Sequence, residues 1–248
     1  MPGNDLRALV FDFDGTIAET ERDGHRVAYD RAFAELGFAW RWDEATYGDL
    51  RAVAGGRERL EAFLQTVAPD MSASERERTV RAVHAAKRRH FAPLAGSLAI
   101  RPGIVRLVGE ARAAGVRLAV ATTAATDGVR AVLDRHADLA DAFDAIVGGE
   151  DAPRKKPDPA AYRIALQRLG TPARAAIAIE DSAIGLQAAR AAELVTLVAP
   201  SSYTTDDDFA GAAAVVSDLG EPDRPARTLA GRGPERGYAD LAYLRTLR

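Results

Sequence analysis

The stretch Val10-Phe11-Asp12-Phe13-Asp14-Gly15-Thr16-Ile17-Ala18-Glu19 constrains this chain more than any other. An apolar run stops at two aspartates one residue apart, and a glycine follows at once. If residues 9–11 form a buried strand, the period of two sends both carboxylates the same way, just past the strand's end. Gly15 then permits the positive φ of a tight exit turn. Carboxylates held this close repel one another, so a cation, a proton or a solvated pocket must compensate. Taken alone, the stretch also fits a plain surface Asp-Gly turn.

The rest of the composition narrows the classes. The 248 residues, 47% apolar and 28% charged, suffice for one α/β domain or for a core with a smaller insert. A net charge of −3 argues against nucleic acid or a membrane surface as the main partner. The absence of cysteine removes disulfides, thiolate zinc sites and cysteine nucleophiles, and none of the four histidines stands in an H-E-x-x-H pattern. With no charged-then-apolar leader and no apolar run near ~18 residues, the expectation is a soluble, cytoplasmic protein, taken as a monomer.

Periodicity divides the chain into two regions. Residues 20–36 read as a helix with Ala28, Ala32, Phe33 and Leu36 on one stripe and Gly37 as its stop. Residues 57–67 place Leu60, Phe63, Leu64 and Val67 at helical spacing. Trp40, Trp42, Tyr47 and Gly55-Gly56 lie between these two helices. Ser72 and Glu75 fit a capping box that opens a helix running to about residue 91. Lys87 shares the stripe of Val80, Val83 and Phe91, where it either snorkels to water or faces a cleft. Residues 20–97 thus read as helical throughout.

From Arg101-Pro102-Gly103 the pattern alternates. A helix carrying Ile104, Leu107, Val108 and Ala111 precedes a strand at 118–121. A helix with Val129, Val132 and Leu133 precedes a strand at 145–147. Asp158-Pro159 opens a helix with Tyr162, Ala165, Leu166 and Leu169, and strands are expected at 175–179 and 194–198. Alternation of this kind implies a parallel sheet covered on both faces. The Arg-, Pro- and Gly-rich segment from Glu221 reads as a loosely attached tail with a short helix at 238–244.

Ligands of open parallel sheets bind beyond the carboxyl ends of the strands. Those ends carry Asp12 and Asp14, Thr122 and Thr123, Lys156 on a loop, and Glu180-Asp181. Each has a structural alternative: a helix cap, a solvated lysine, a polar turn. Together they form a hard oxygen site suited to Mg²⁺, with a lysine and hydroxyl donors for phosphate and a carboxylate as candidate nucleophile. Phosphoryl transfer asks for this inventory.

In this order, Asp12-x-Asp14-Gly15-Thr16, Thr122, Lys156-Pro157 and Glu180-Asp181 resemble the four motifs of haloacid dehalogenase-superfamily phosphatases, over about residues 6–200. The resemblance implies a Rossmann-like parallel-sheet core (1–19 and 98–220) with an inserted α-helical cap (20–97), followed by a tail (221–248). By it, Asp12 is the nucleophile and Asp14 the general acid and base. Thr122, Thr123 and Lys156 hold phosphoryl oxygens. Mg²⁺ sits on Asp12, the Asp14 carbonyl and Asp181, with Glu180 in support. The span Thr16-Ile17-Ala18-Glu19-Thr20-Glu21, with Gly55-Gly56-Arg57 and His84-x-x-Lys87, is most similar to the CbbY-like group, related to β-phosphoglucomutase and phosphoglycolate phosphatase. That group implies a small phosphorylated sugar as partner, xylulose 1,5-bisphosphate above all, a misfire product in the Calvin cycle. Glu21, His25, Tyr47, Gly55, Gly56, Arg57 and Lys87 would then be the cap's substrate residues. A phosphomutase, a phosphoglycolate phosphatase and a non-catalytic receiver-like or scaffold protein are the alternatives. Glu193 stands where the superfamily often has glycine after the last motif, so that helix is expected to end differently here.

Overall fold

The computed structural model describes residues 5–248. They divide into two compact units: the described part of Met1–Glu19 together with Ala99–Arg248, and Thr20–Leu98. The first unit is built on one sheet. Its strands are β1 (Ala8–Phe11), β2 (Arg117–Ala121), β3 (Ala145–Val147), β4 (Ala176–Glu180), β5 (Val195–Val198), β6 (Ala214–Val216) and β7 (Thr228–Gly231), in the order β3-β2-β1-β4-β5-β6-β7. All neighbours run parallel except β6 and β7, which pair antiparallel at the edge. This is the Rossmann-like parallel core that the alternation predicts. β1 is buried along its whole length between β2 and β4, which is why Ala-Leu-Val-Phe reads as a continuous apolar run.

The two faces of the sheet differ in side-chain size. Register aligns Val10 with Ala119 on one side and Ala178 on the other, and Ala8, Ala121 and Ala176 share that face. Leu9, Phe11, Leu118, Val120, Ile177 and Ile179 alternate to the opposite face.

The second unit is helical. A π-helical turn (Glu21–Arg26) runs directly into α1 (Val27–Glu35), followed by α2 (Glu44–Leu50), α3 (Gly56–Val67) and α4 (Ala73–Phe91). The single helix expected over 20–36 is therefore two kinds of helix. Its wider first turn buries Glu21, Gly24 and His25, and Gly24 fits because a side chain there would meet Phe91 and Leu98. No apolar stripe in the sequence marks α2, although Asp43 caps it by accepting the Thr46 amide at 2.8 Å. The capping box at Ser72 and Glu75 is present in full. Phe33, Trp40, Trp42 and Phe63 pack as an aromatic cluster, with Trp42 also against Tyr29 and Tyr47.

In the sheet unit the helices are α5 (Ile104–Ala113), α6 (Thr126–Leu133), α7 (Ala160–Leu169), α8 (Ala183–Ala191) and α9 (Leu241–Thr246). Residues of α7 and α8 pack on the alanine face, where small side chains let helices lie close to the strands. Two expectations give way here. Glu193 adopts φ 62°, so the helix does end in the left-handed residue that glycine would supply. Leu194 N–H reaches the Ala189 carbonyl and Glu193 N–H the Arg190 carbonyl, a complete Schellman closure. Residues 221–248 are not loosely attached: β7 extends the sheet, and Ala239, Leu241 and Leu244 are buried. Arg106 binds the Gly220 and Ala239 carbonyls and the Glu221 carboxylate. The polar composition hid the few apolar residues that anchor the segment. Among the described residues no helix is long and apolar enough to cross a membrane.

Candidate active site

The parallel register decides which side chains meet at the strand ends. Phe11 pairs with Ile179 in β4 and with Val120 in β2, so one step further brings Asp12 level with Glu180. The Asp12 amide bonds to the Ile179 carbonyl at 2.9 Å, and the Thr122 amide to the Val147 carbonyl at 3.0 Å. Beyond Asp12 the chain turns sharply. The Phe13 carbonyl accepts the Ile17 amide at 2.9 Å, and Gly15 N–H bonds to the Ala18 carbonyl at 2.8 Å. Gly15 has φ 85°, and a side chain there would overlap the Asp181 carboxylate. Glycine is needed twice, for the turn and for the close approach.

Lys156 enters from the loop before α7. Its ammonium donates to Asp12 Oδ1 and to Glu180 Oε1, each at 2.6 Å, and all three residues are buried. Burial would lower the lysine's pKa, but Asp12 and Glu180 reverse this and push it up, so the group stays charged. Burial, reinforced by Glu180, Asp181 and Asp14, raises the Asp12 pKa well above the ordinary carboxylate value against the pull of Lys156. One ammonium thus faces a surplus of carboxylates.

Glu180 is the saturated member of the cluster. Its Oε1 accepts Lys156 and, at 2.6 Å, the Tyr162 hydroxyl; its Oε2 accepts the Asp181 amide at 3.1 Å and the Ser182 hydroxyl at 3.2 Å. Gly185 in α8 makes this possible, because a side chain there would overlap the Glu180 carboxylate. Neither Tyr162 nor Gly185 stands out in the sequence as a site residue. Tyr162 reads as core on its helical stripe, and only its hydroxyl, inside an otherwise apolar face, carries a signal.

Asp12, Glu180 and Asp181 each offer a carboxylate oxygen within 4.8 Å of the others, and all three are buried. This all-oxygen set fits a hard divalent cation such as Mg²⁺ and offers no soft ligand. Asp14 is half-buried, and the Thr122 hydroxyl lies 3.4 Å from its Oδ2. Thr122 also accepts the Ala124 amide at 3.0 Å. Thr123 is half-buried, and among the described residues its side chain joins none of the hydrogen bonds of this cluster.

The helical unit collects its own polar groups. Glu21 accepts the Tyr47 hydroxyl, Arg59 donates to that hydroxyl at 2.6 Å, and both Arg59 and Arg51 lie 3.5 Å from the Glu21 carboxylate. Burial opposes the Glu21 charge, but Arg59, Arg51, His25 and the Tyr47 bond hold its carboxyl well below the usual range. Lys87 Nζ donates to His25 Nδ1 at 2.9 Å and lies over the Phe91 and Tyr29 rings, while His25 stacks on Phe91. Lys87 therefore neither snorkels freely nor stands alone. Gly55, with φ 94°, precedes α3, and the Gly56 carbonyl accepts the Tyr29 hydroxyl at 2.6 Å.

Arg57 is exposed and joins neither network among the described residues; the buried guanidinium is Arg59. Its position was readable, since Arg59 lies four residues before Phe63 on the inward side of α3.

The family model for haloacid dehalogenase-like hydrolases matches residues 6–193. The chain is 44% identical over 245 residues to the protein CbbY, plasmid, of Cupriavidus necator, covering 97% of this chain and 96% of that protein. It is 32% identical over 217 residues to the phosphoglycolate phosphatase of Rhodospirillum rubrum, covering 86% and 88%. A crystal structure of a CbbY variant from Rhodobacter sphaeroides in complex with xylulose 1,5-bisphosphate matches with a TM-score of 0.80 at 40% identity, covering 86% of this chain and 94% of that one.

Proposed function

Because the chain belongs to the haloacid dehalogenase-like hydrolase family, we propose that it is a Mg²⁺-dependent phosphatase of a small sugar phosphate, with xylulose 1,5-bisphosphate as the leading substrate. The observation that carries this reading is the Lys156 ammonium held 2.6 Å from both Asp12 and Glu180 at the carboxyl edge of a parallel sheet.

Asp12 attacks phosphorus through a carboxylate oxygen, forming an aspartyl phosphate as the bond to the sugar oxygen breaks. Asp14 gives its proton to that departing oxygen, then takes one from the water that hydrolyses the aspartyl phosphate. Lys156 and Thr122 orient phosphoryl oxygens, with the amide of Thr123 as a further donor. Glu180, its oxygens occupied by donors, orients Lys156. Asp12, Asp181 and the Asp14 carbonyl would hold Mg²⁺, which when bound supplies the positive charge that lets carboxylates and a phosphoryl group share one site.

The helical insert supplies the substrate-recognising chemistry in this reading. Glu21 and Tyr47 suit sugar hydroxyls, while Lys87, His25 and the exposed Arg57 suit a second phosphate. That substrate would make the protein a repair enzyme that removes a misfire product of the Calvin cycle. The deciding assay is phosphate release over mono- and bisphosphates of pentoses and hexoses and over phosphoglycolate. Preference for the pentulose bisphosphate is the expected result. Preference for phosphoglycolate would overturn the substrate, and isomer formation without free phosphate would replace hydrolysis with a mutase reaction.

A further inference from the structure

Arg101 opens the Arg101-Pro102-Gly103 turn and takes no part in the chemistry assigned to the strand ends. Yet its side chain is buried, at 7% exposure, and directs nearly all its donors to main-chain carbonyls. Nη1 donates to the Gly15 carbonyl and, at 2.6 Å, to that of Ala199; Nη2 donates to Pro200 at 2.8 Å and Ser217 at 3.3 Å. Nε lies 3.2 Å from the Glu19 carboxylate. One guanidinium therefore joins the turn after Asp14, the segment leaving β5 and the segment leaving β6.

The backbone around it is equally specific. Arg101 N–H bonds to the Ile17 carbonyl at 2.9 Å and Glu19 N–H to the Ala99 carbonyl at 3.0 Å, with Ala18 and Ile100 paired antiparallel. Residues 17–19 and 99–101 thus form a short ribbon where the chain leaves and re-enters the sheet unit. On the other side of Gly15 there is no slack, since a side chain there would overlap the Asp181 carboxylate and stand 2.9 Å from Ser201 Cβ. The peptide that follows Asp14 is wedged between Asp181 and Arg101.

We propose that Arg101 is a positioning residue: it fixes the Gly15 peptide, and through it Asp14, in register against Asp181 and the end of β5. It touches neither substrate nor reacting atoms. The planar guanidinium sends donors in several fixed directions at once, which the single nitrogen of a lysine does not match. Only the catalytic half of the proposal rests on the phosphatase reading; the clamp on residues 13–18 does not.

Two variants test it. Arg101→Lys keeps the charge, and a misplacement of about 1 Å at Asp14 costs on the order of 100-fold in kcat. KM is expected to change less than about threefold, because ground-state binding is not what the clamp supports. In Arg101→Ala, added guanidinium is expected to restore part of kcat, whereas ammonium is not. Hydrogen exchange on the metal-free protein supplies the readout independent of turnover: amides 13–18 exchange faster in Arg101→Lys, and those of α7 do not. Wild-type kcat together with wild-type exchange over 13–18 in Arg101→Lys would overturn the proposal. So would a loss that appears equally in α7 and fails to respond to guanidinium. If the unmodified protein releases phosphate from no ester, the phosphatase reading falls, and the exchange experiment still decides the clamp.

Discussion

Lys156 Nζ lies 2.6 Å from Asp12 Oδ1, although 144 residues separate the two in sequence. The pair is buried, and Glu180 takes a second bond from the same nitrogen at 2.6 Å. Removing the ammonium leaves two buried carboxylates facing each other. Lys156→Met is expected to lose activity and about 3–5 kcal/mol of stability, as broken buried ion pairs do. Denaturant unfolding without added metal measures this, and wild-type stability in the variant would contradict the pairing.

Asp14 carries the proton to the departing oxygen in this account. Its loss should therefore matter most when that oxygen is a poor leaving group. In single-turnover phosphorylation of the enzyme, Asp14→Asn is expected to slow transfer from a sugar phosphate far more than from p-nitrophenyl phosphate. Equal losses in that first step would assign Asp14 another role.

Glu21 gives the helical unit an acid-sensitive element. Its folded pKa is depressed below the ordinary 4.5, chiefly against burial by Arg59 and Arg51. The stabilisation is therefore complete above the unfolded value and is lost as pH falls through the folded one. Below about pH 5 the stability gap between the wild type and Glu21→Gln should close progressively. Parallel curves down to acid unfolding would show that the charge on Glu21 contributes nothing to stability.

Glu193 holds φ 62° at the end of α8. A non-glycine residue pays on the order of 1 kcal/mol for that conformation. Glu193→Gly should stabilise the protein by about that amount with unchanged turnover, as read from chemical denaturation.

These residues also mark what the sequence reveals. Asp12, Glu180 and Asp181 were legible because they stand at the ends of apolar strands, which a parallel sheet brings to one edge; Lys156 lies on the loop before α7 and was marked by the Lys156-Pro157 motif. Tyr162 and Gly185 were not, because their parts depend on distances to Glu180 that no local pattern encodes. Arg59 and Arg57 differ only in which side of α3 they occupy, so the motif pointed to Arg57 while the helical period placed Arg59 inward. β7 escaped because it is an exposed edge strand with no apolar pattern, and β6 because its three buried residues make too short a run to read as a strand.

The proposed mechanism requires that Asp12 become covalently phosphorylated during turnover. Borohydride reduces an acyl phosphate to an alcohol, so quenching the reaction with it and sequencing the peptides by mass spectrometry reads the site directly. Homoserine is expected at position 12 when substrate and Mg²⁺ are both present, and unmodified aspartate when either is withheld. Sustained phosphate release with Asp12 never reduced, or with the label at another carboxylate, would contradict it.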